Sequence, residues 1–322
     1  MIAPAVLAVL AVILAVLGPT LLRRMSWLER SPRIGITAWQ TLSVSIVLAV
    51  LLAGSSLAIP AIPWTINLAD WIRTCAMALL AQYSTPGGAV VSTTGAAAAS
   101  AILIRVAYCL AADRAIAARN RKVQLDALAL IARPHLRYDA LVVDHPAAAA
   151  YCLPGRIHQV VLTSAALSAL DHNQLLAVLA HERAHLRGRH HLILAASDAL
   201  QHAFPRVTAF RTARRELGRL VEMLADDSAA RHSDRTTVAT ALVRLAEHGL
   251  TPAAVLGAGG ESAPSRVRRL ISPVRPLGAG KTTVAALAMG LLIALPLFLA
   301  IAPASAAGTM DPCPEDAQSL TM

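Results

Sequence analysis

Charged side chains are scarce in this sequence, and acidic ones are the scarcer kind. Only 15% of the 322 residues are charged, whereas 56% are hydrophobic. Soluble proteins carry about 25% charged residues, so this composition argues against a wholly soluble chain and predicts a membrane protein with a modest soluble domain. The net charge of +10 is then explained first by arginines that anchor membrane helices on the cytoplasmic side, not by nucleic-acid binding.

Cysteine is also rare. The four cysteines, Cys75, Cys109, Cys152 and Cys313, are scattered along the chain and show no C-x-x-C spacing. This pattern predicts neither a disulfide framework nor a metal site built on cysteine.

Positive charge is missing before the first apolar run, residues 2–22. A cleaved signal peptide would carry such charge, so we expect a retained membrane helix, which needs about 20 apolar residues. Arg23 and Arg24 follow the run and indicate a cytoplasmic loop. Further spans are predicted at residues 36–62, 88–112 and 283–304.

These spans divide the chain into three parts. Residues 1–121 form a membrane region with three transmembrane helices, residues 122–275 a cytoplasmic domain, and residues 276–322 the fourth helix with a short tail. The predicted topology is a multi-pass protein of the plasma membrane with both termini outside, because every arginine cluster then faces the cytoplasm.

Two features of the membrane region allow alternatives. The segment 64–83 has Asp70 and Arg73 as its charges, and we favour a helix lying in the outer interface. A fifth span there would reverse the topology downstream. Arg105 lies inside the third predicted span, and we expect its side chain to extend toward the cytoplasmic surface.

The cytoplasmic part has mixed secondary-structure patterns. A helix at 123–132 precedes three β-like runs, read as a small meander whose edge strand could bind an extended peptide. Helices follow, and then a Gly- and Pro-rich stretch with Arg266, Arg268 and Arg269 that predicts a flexible connector beside the membrane. The runs are 140–143, 149–153 and 157–162, the helices 190–204, 211–231 and 236–248, and the connector 251–276.

One motif organises this domain. Residues 181–185 read His-Glu-Arg-Ala-His in an apolar, helix-favouring run. On a helix, His181 and His185 share one face, so both imidazoles can bind one metal ion, and zinc is the natural ion for such ligands. Glu182 is then placed to take a proton from a water that the metal activates.

A second predicted helix supplies the remaining groups. Glu222 follows His185 at a distance that allows a turn and a returning helix, and Asp226 lies one helical turn further on the same face. Glu222 can be the third ligand, and Asp226 can accept the free ring N–H of a ligand histidine. Together these patterns predict a site of the gluzincin type with one Zn²⁺ per chain.

Each part of this motif has a simpler explanation. The pentapeptide could be a chance match on a His-rich surface helix, since Arg183 puts a charge between the histidines. Glu222 and Asp226 could belong to a solvated acidic face, although the helix is otherwise basic. An oxyanion-stabilising group is also needed, and the sequence leaves it open among His190, His191, His232 and an arginine.

The order of these parts resembles the BlaR/MecR-type membrane metallopeptidases, the antirepressor proteases of bacterial antibiotic sensing. The similarity is greatest from about Tyr138 to Arg231, including the stretches 150–155, 160–163 and 176–190. It implies a mainly α membrane protein with four transmembrane helices and a cytoplasmic α+β zinc peptidase domain holding a small β-sheet.

The resemblance also implies functional roles. His181, His185 and Glu222 would bind zinc, Glu182 would be the general base, and Asp226 would orient a ligand. The substrate would be a protein, such as a cytoplasmic transcriptional repressor or the chain itself. The antibiotic receptors carry a large external penicillin-binding domain after the last span, whereas about eighteen tail residues stand here, so sensing by acylation is not expected.

Three other functions are the alternatives to this one. A housekeeping membrane protease of the HtpX or CaaX-processing type shares the motif and the later glutamate, but two spans commonly follow its zinc helices closely. A non-catalytic receptor with a structural zinc would not need Glu182. Direct binding of nucleic acid is disfavoured, because the arginines cluster at membrane boundaries and no recognition motif is present.

Overall fold

Four of the described helices are long and apolar enough to cross a membrane. The computed structural model describes residues 2–58, 87–155, 159–249, 262–272 and 277–307, together with positions 73, 77 and 80. The four helices are α1 (Ile2–Arg24), α2 (Pro32–Ala58), α3 (Gly88–Ile131) and α10 (Ala279–Ala307). Each helix contains one of the predicted spans, except that residues 59–62 of the second span lie outside the described residues. The prediction of four long apolar helices is therefore confirmed. The interfacial helix at 64–83 falls outside those residues, apart from three single positions.

The remaining elements lie between these helices. A short 3-10 helix, Ser26–Arg30, joins α1 to α2. The strands are β1 (Arg133–His135), β2 (Ala140–Val143), β3 (Ala150–Leu153) and β4 (Gln159–Thr163). The shorter helices are α4 (Ser164–Ala169), α5 (His172–Arg187), α6 (His190–Ala203), α7 (Thr208–Ala229), α8 (Arg235–His248) and α9 (Ser262–Ile271).

Helix α3 differs from its prediction. A span at 88–112 and a separate helix at 123–132 were expected, but one helix runs through all 44 residues. The stretch between them is rich in Ala and Arg and contains neither Gly nor Pro, so nothing interrupts the helix. The expected domain boundary at residue 121 therefore falls inside a helix.

The chain divides into two compact units, and the first comprises residues 1–14, 44–104 and 288–322. Within it, α2 and α3 approach closely at small residues. A Cβ atom on Gly95 would lie 2.5 Å from the Cβ of Leu57. The buried Ser45 Oγ donates a hydrogen bond of 2.9 Å to the carbonyl of Leu292 on α10. Both features are typical of helix packing in membranes.

The second unit, residues 15–43 and 105–287, contains a four-stranded sheet in the order β1-β2-β4-β3. The three predicted strands are present, but they do not form a meander, because β2 and β4 pair in parallel while β3 pairs antiparallel on the outside of β4. Strand β1 was missed, since Arg133-Pro134-His135 has no apolar alternation. The sheet ends in β3, and that strand packs against α5.

Helix α5 lies between the sheet and the other helices of this unit. Its residues Leu175, Val178 and Leu179 are buried in one core with Val160 and Leu162 of β4. Its opposite face, at Ala177, belongs to a second core that is formed with α7, α8 and α9. The helical spacing of these apolar residues thus fixes the rotation of α5 about its axis.

The flexible connector is revised, whereas the direction expected for Arg105 stays a prediction. The flexible connector at 251–276 contains a helix, α9, and Arg266 on it is buried at 8% exposure. Residues 250–261 and 273–276 of that stretch lie outside the described residues. Arg105 donates its Nε–H to the carbonyl of Ala203 at the end of α6. The last carbonyls of a helix have no partner within the helix, so this bond satisfies one of them.

The start of α5 gives the first test. Asp171 accepts a hydrogen bond of 2.9 Å from the Gln174 N–H, and the Gln174 side chain accepts one from the Asp171 N–H. Loss of such a cap costs about 1 kcal/mol, so Asp171→Ala should weaken the first turn of α5, as measured by faster hydrogen exchange there. Asp171→Asn keeps an acceptor and should behave as wild type. Equal exchange in all three proteins would contradict the capping role.

Candidate metal centre

Three side chains converge at the contact between α5 and α7. His181 and His185 lie one turn apart on α5, and Glu222 extends toward them from α7. One ligand atom from each residue lies within 4.8 Å of the other two. The structure thus brings together the three residues that the sequence predicts as metal ligands.

The separations of these atoms suit one zinc ion. His181 Nε2 lies 3.1 Å from His185 Nε2, and each Nε2 lies 3.5 Å from an oxygen of Glu222. Ligands at about 2.0–2.1 Å from a tetrahedral zinc lie about 3.3 Å from one another. Two imidazoles and a carboxylate are also a donor set that zinc accepts, so the residues fit this metal.

Each histidine has a partner on its other ring nitrogen. His181 Nδ1 lies 3.0 Å from Asp226 Oδ1, as predicted, although the ring N–H does not point directly at the oxygen. His185 Nδ1 lies 3.2 Å from His190 Nδ1, a contact that the sequence did not reveal. Such partners fix the orientation of ligand rings.

Arg266 is the residue of the site that sequence reasoning missed. Its Nε and Nη2 atoms donate to the two oxygens of Asp226, each at 2.7 Å. Its Nη1 lies 2.9 Å from Glu222 Oε2. The sequence does contain a signal for this residue. Two inward carboxylates on α7 require a buried cation, and Arg266 lies near the apolar Val267 and Leu270 of α9.

These charges shift the ionisation of the site. Burial opposes the charged form of His181, but Asp226 and Glu222 outweigh it and raise the pKa of His181 to about 9. Burial and the charge of His181 lower the pKa of His185 to about 4. Although burial opposes its charge, bonding to His181 and the Arg266 charge hold the pKa of Glu222 at about 2. Asp226, bonded first to Arg266, likewise has a pKa well below its usual range.

Glu182 lies beside this cluster with an unexpected neighbour. Burial raises the pKa of the Glu182 carboxyl, partly offset by the charge of His181. Burial and the negative charge of Glu182 raise the pKa of Cys152 on β3 to about 12, so that thiol stays neutral. Arg183 does not disturb the centre, because its Nη2 donates to the carbonyl of Tyr138 at 2.7 Å.

A cleft of about 330 Å³ opens onto the centre. Its polar wall consists of His181, Glu182, Glu222 and Arg266, and Ala150 of β3 lies at its side. The opposite wall is apolar and comes from α8, at Val238, Ala241, Leu242 and Leu245. The arrangement can hold an extended chain against a metal and a basic carboxylate.

Among the candidates for oxyanion stabilisation, the arginine is the one that the cleft contains. Arg266 lines the cleft, whereas His190 and His232 line a different cavity. His191 is not among the residues that line either space in the described part of the chain.

The helix-borne His-Glu-x-x-His pair, the glutamate from a second helix and the edge strand beside them define a zinc-peptidase type of site. Peptidase family M48 matches residues 115–275, half of the chain. The chain therefore belongs to peptidase family M48, a family of metallopeptidases in which zinc is typical. Comparison with curated proteins and with solved structures gives no match. The narrower BlaR/MecR-type assignment stays a prediction.

Arg266 allows a sharp test of the buried charges. Asp226 is only 1% exposed, so Arg266→Gln removes the arginine from a buried ion pair, and breaking such a pair costs about 3–5 kcal/mol. We expect the amides of α7 and α9 to lose that much protection in hydrogen exchange. Arg268→Gln changes an exposed arginine on the same helix and should cost less than about 0.5 kcal/mol. Similar losses in both variants would contradict the account.

Proposed function

We propose that this chain is a zinc endopeptidase held in the plasma membrane by four helices, with its catalytic domain in the cytoplasm and both termini outside. His181, His185 and Glu222 hold one zinc ion, and Glu182 is the general base. Asp226 positions His181. The observation that carries the proposal is the convergence of three ligand atoms at zinc-compatible separations, beside a cleft that His181, Glu222 and Glu182 line.

Zinc in this site supplies Lewis-acid activation of water and of the scissile carbonyl. The carboxylate of Glu182 takes a proton from the attacking water and passes it to the leaving amine. Its burial favours this role, because a raised pKa makes a carboxylate a better base. Arg266 and Asp226 act by holding Glu222 and His181 in place.

The substrate is an extended segment of protein. Thr163 N–H donates to the Ala149 carbonyl at 3.0 Å, and hydrogen-bonded pairs alternate along antiparallel strands. Ala150 lies opposite Leu162, and Cys152 lies opposite Val160. These are the non-hydrogen-bonded pairs of the ladder, so the backbone N–H and C=O groups of Ala150 and Cys152 face the outer edge of β3. A peptide can add to that edge as a further strand, with small or apolar side chains toward α8.

The proposal extends to regulatory proteolysis, of a transcriptional repressor or of the chain itself. It is supported by the loop between α1 and α2, which contacts the elements of the metal centre. Glu29 Oε1 accepts a hydrogen bond of 2.8 Å from Arg219 Nη1 on α7. The Glu29 carbonyl accepts one of 3.0 Å from Arg269 Nε on α9. A shift of this loop would therefore reach the helices that carry Glu222 and Arg266.

The test uses purified full-length protein and a proteome-derived peptide mixture, with products identified by mass spectrometry. Glu182→Gln should keep its metal and lower the rate of cleavage by about 10²–10⁴-fold, the usual contribution of a general base. Glu247→Gln, an exposed glutamate on α8, serves as the matched control and should cleave normally. Unchanged cleavage by Glu182→Gln would rule out the assignment.

The same experiment separates the regulatory role from a housekeeping protease of the HtpX or CaaX-processing type. Unfolded β-casein and the chain's own intact mass are followed in parallel. Regulatory proteolysis predicts that casein stays largely intact, with cleavage confined to one or a few sites in the chain itself or in the peptide mixture. Extensive degradation of casein would favour the housekeeping role.

A further inference from the structure

A second cavity, of about 500 Å³, lies behind His185. It is formed by the first turns of α2 and α6, the end of α5, and the C-terminal end of α7 with the residues that follow it. We call it the rear cavity. Its basic lining residues are Arg33, Arg187, Arg231, His190 and His232.

The charge of the rear cavity is not balanced. Among the described residues, no carboxylate lines it, and no side-chain partner is present for Arg33, Arg187 or Arg231. Two other arginines of this unit, by contrast, are paired with carboxylates. Arg219 contacts Glu29 and Glu216, and Arg269 contacts Asp227. Three guanidinium groups around one unpaired space create a positive field that favours an anion.

The chemistry of these side chains indicates which kind of anion the rear cavity would bind. Guanidinium groups present a planar fork of donors that matches the oxygens of phosphate, so arginine clusters are typical of phosphate recognition. Arg33 lies in the first turn of α2, a helix apolar enough to cross a membrane. Basic pockets at the cytoplasmic ends of such helices bind lipid head groups.

We propose that the rear cavity binds a phosphate group through Arg33, Arg187 and Arg231, supplied by an anionic lipid head group or by a soluble phosphate compound. Binding at this cavity does not rest on the proposed peptidase function. It adds a ligand site at the C-terminal end of α5, beyond the part of this helix that lines the substrate cleft.

One side chain joins the rear cavity to the metal centre. His190 is 3% exposed, lines the cavity and places its Nδ1 3.2 Å from His185 Nδ1. Gly188 leaves room for this ring, since a Cβ there would lie 2.3 Å from His190 Nε2. A phosphate group held in the cavity would therefore contact the residue that packs behind a candidate zinc ligand.

The experiment uses the full-length protein in an uncharged detergent. Thermal unfolding is recorded while short-chain phosphatidylglycerol, inorganic phosphate or short-chain phosphatidylcholine is added. The double variant Arg33→Gln/Arg231→Gln removes two cavity arginines. Arg211→Gln/Arg215→Gln is the matched control, because it removes the same charge from exposed arginines of α7 that do not line the cavity.

We expect saturable stabilisation by phosphatidylglycerol or by inorganic phosphate, and whichever acts identifies the source of the phosphate group. The cavity variant should raise the apparent Kd at least about tenfold, since each lost charge-assisted hydrogen bond weakens binding. The control variant should bind as wild type. Arg187→Gln, at the exposed end of α5, gives a second variant expected to shift in the same direction if the double variant folds poorly.

Two results would overturn the proposal. One is the absence of saturable stabilisation by both phosphatidylglycerol and inorganic phosphate. The other is an equal loss of binding in the cavity variant and the surface control, which would mean attraction by overall charge. Stabilisation by phosphatidylcholine to the same extent as phosphatidylglycerol would also count against an anion site.

Discussion

Glu222 and Asp226 extend inward from α7, and the need to balance their charge is the constraint on which the centre depends. A buried carboxylate is costly unless it is paired and hydrogen-bonded. Here the balance comes from two directions, from His181 on α5 and from Arg266 on α9. The ion pairs therefore hold three helices together at one point. The same arrangement keeps the nitrogen and oxygen ligand atoms aimed at a common centre.

Much of this centre could be predicted from the sequence, because it depends on the spacing of residues within single helices. The spacing of His181 and His185 places both rings on one helical face. Glu222 and Asp226 are likewise one turn apart. What could not be predicted depends on distant contacts. Helix α9 follows a Gly-rich stretch, and its burial of Arg266 and Leu270 against α7 and α8 is tertiary.

The sheet shows the same division between local and distant information. Strands β2, β3 and β4 are apolar runs that can be recognised one at a time. The order of these strands in the sheet cannot be recognised in this way. Strand β4 lies between β2 and β3, and it pairs in parallel with β2 and antiparallel with β3. That order puts β3 at the edge, beside the metal centre. The domain thus offers an edge strand beside the metal centre and a basic cavity at the C-terminal end of α5.

The most direct test of the account is the zinc content of the purified protein by elemental analysis. Wild type, Glu222→Ala and Glu182→Gln are compared, with Glu247→Gln as a control for the loss of a carboxylate. We predict one zinc per chain in the wild type, in Glu182→Gln and in the control, and its loss in Glu222→Ala. A wild type without zinc under conditions that do not strip metal, or full zinc in Glu222→Ala, would contradict the proposed centre.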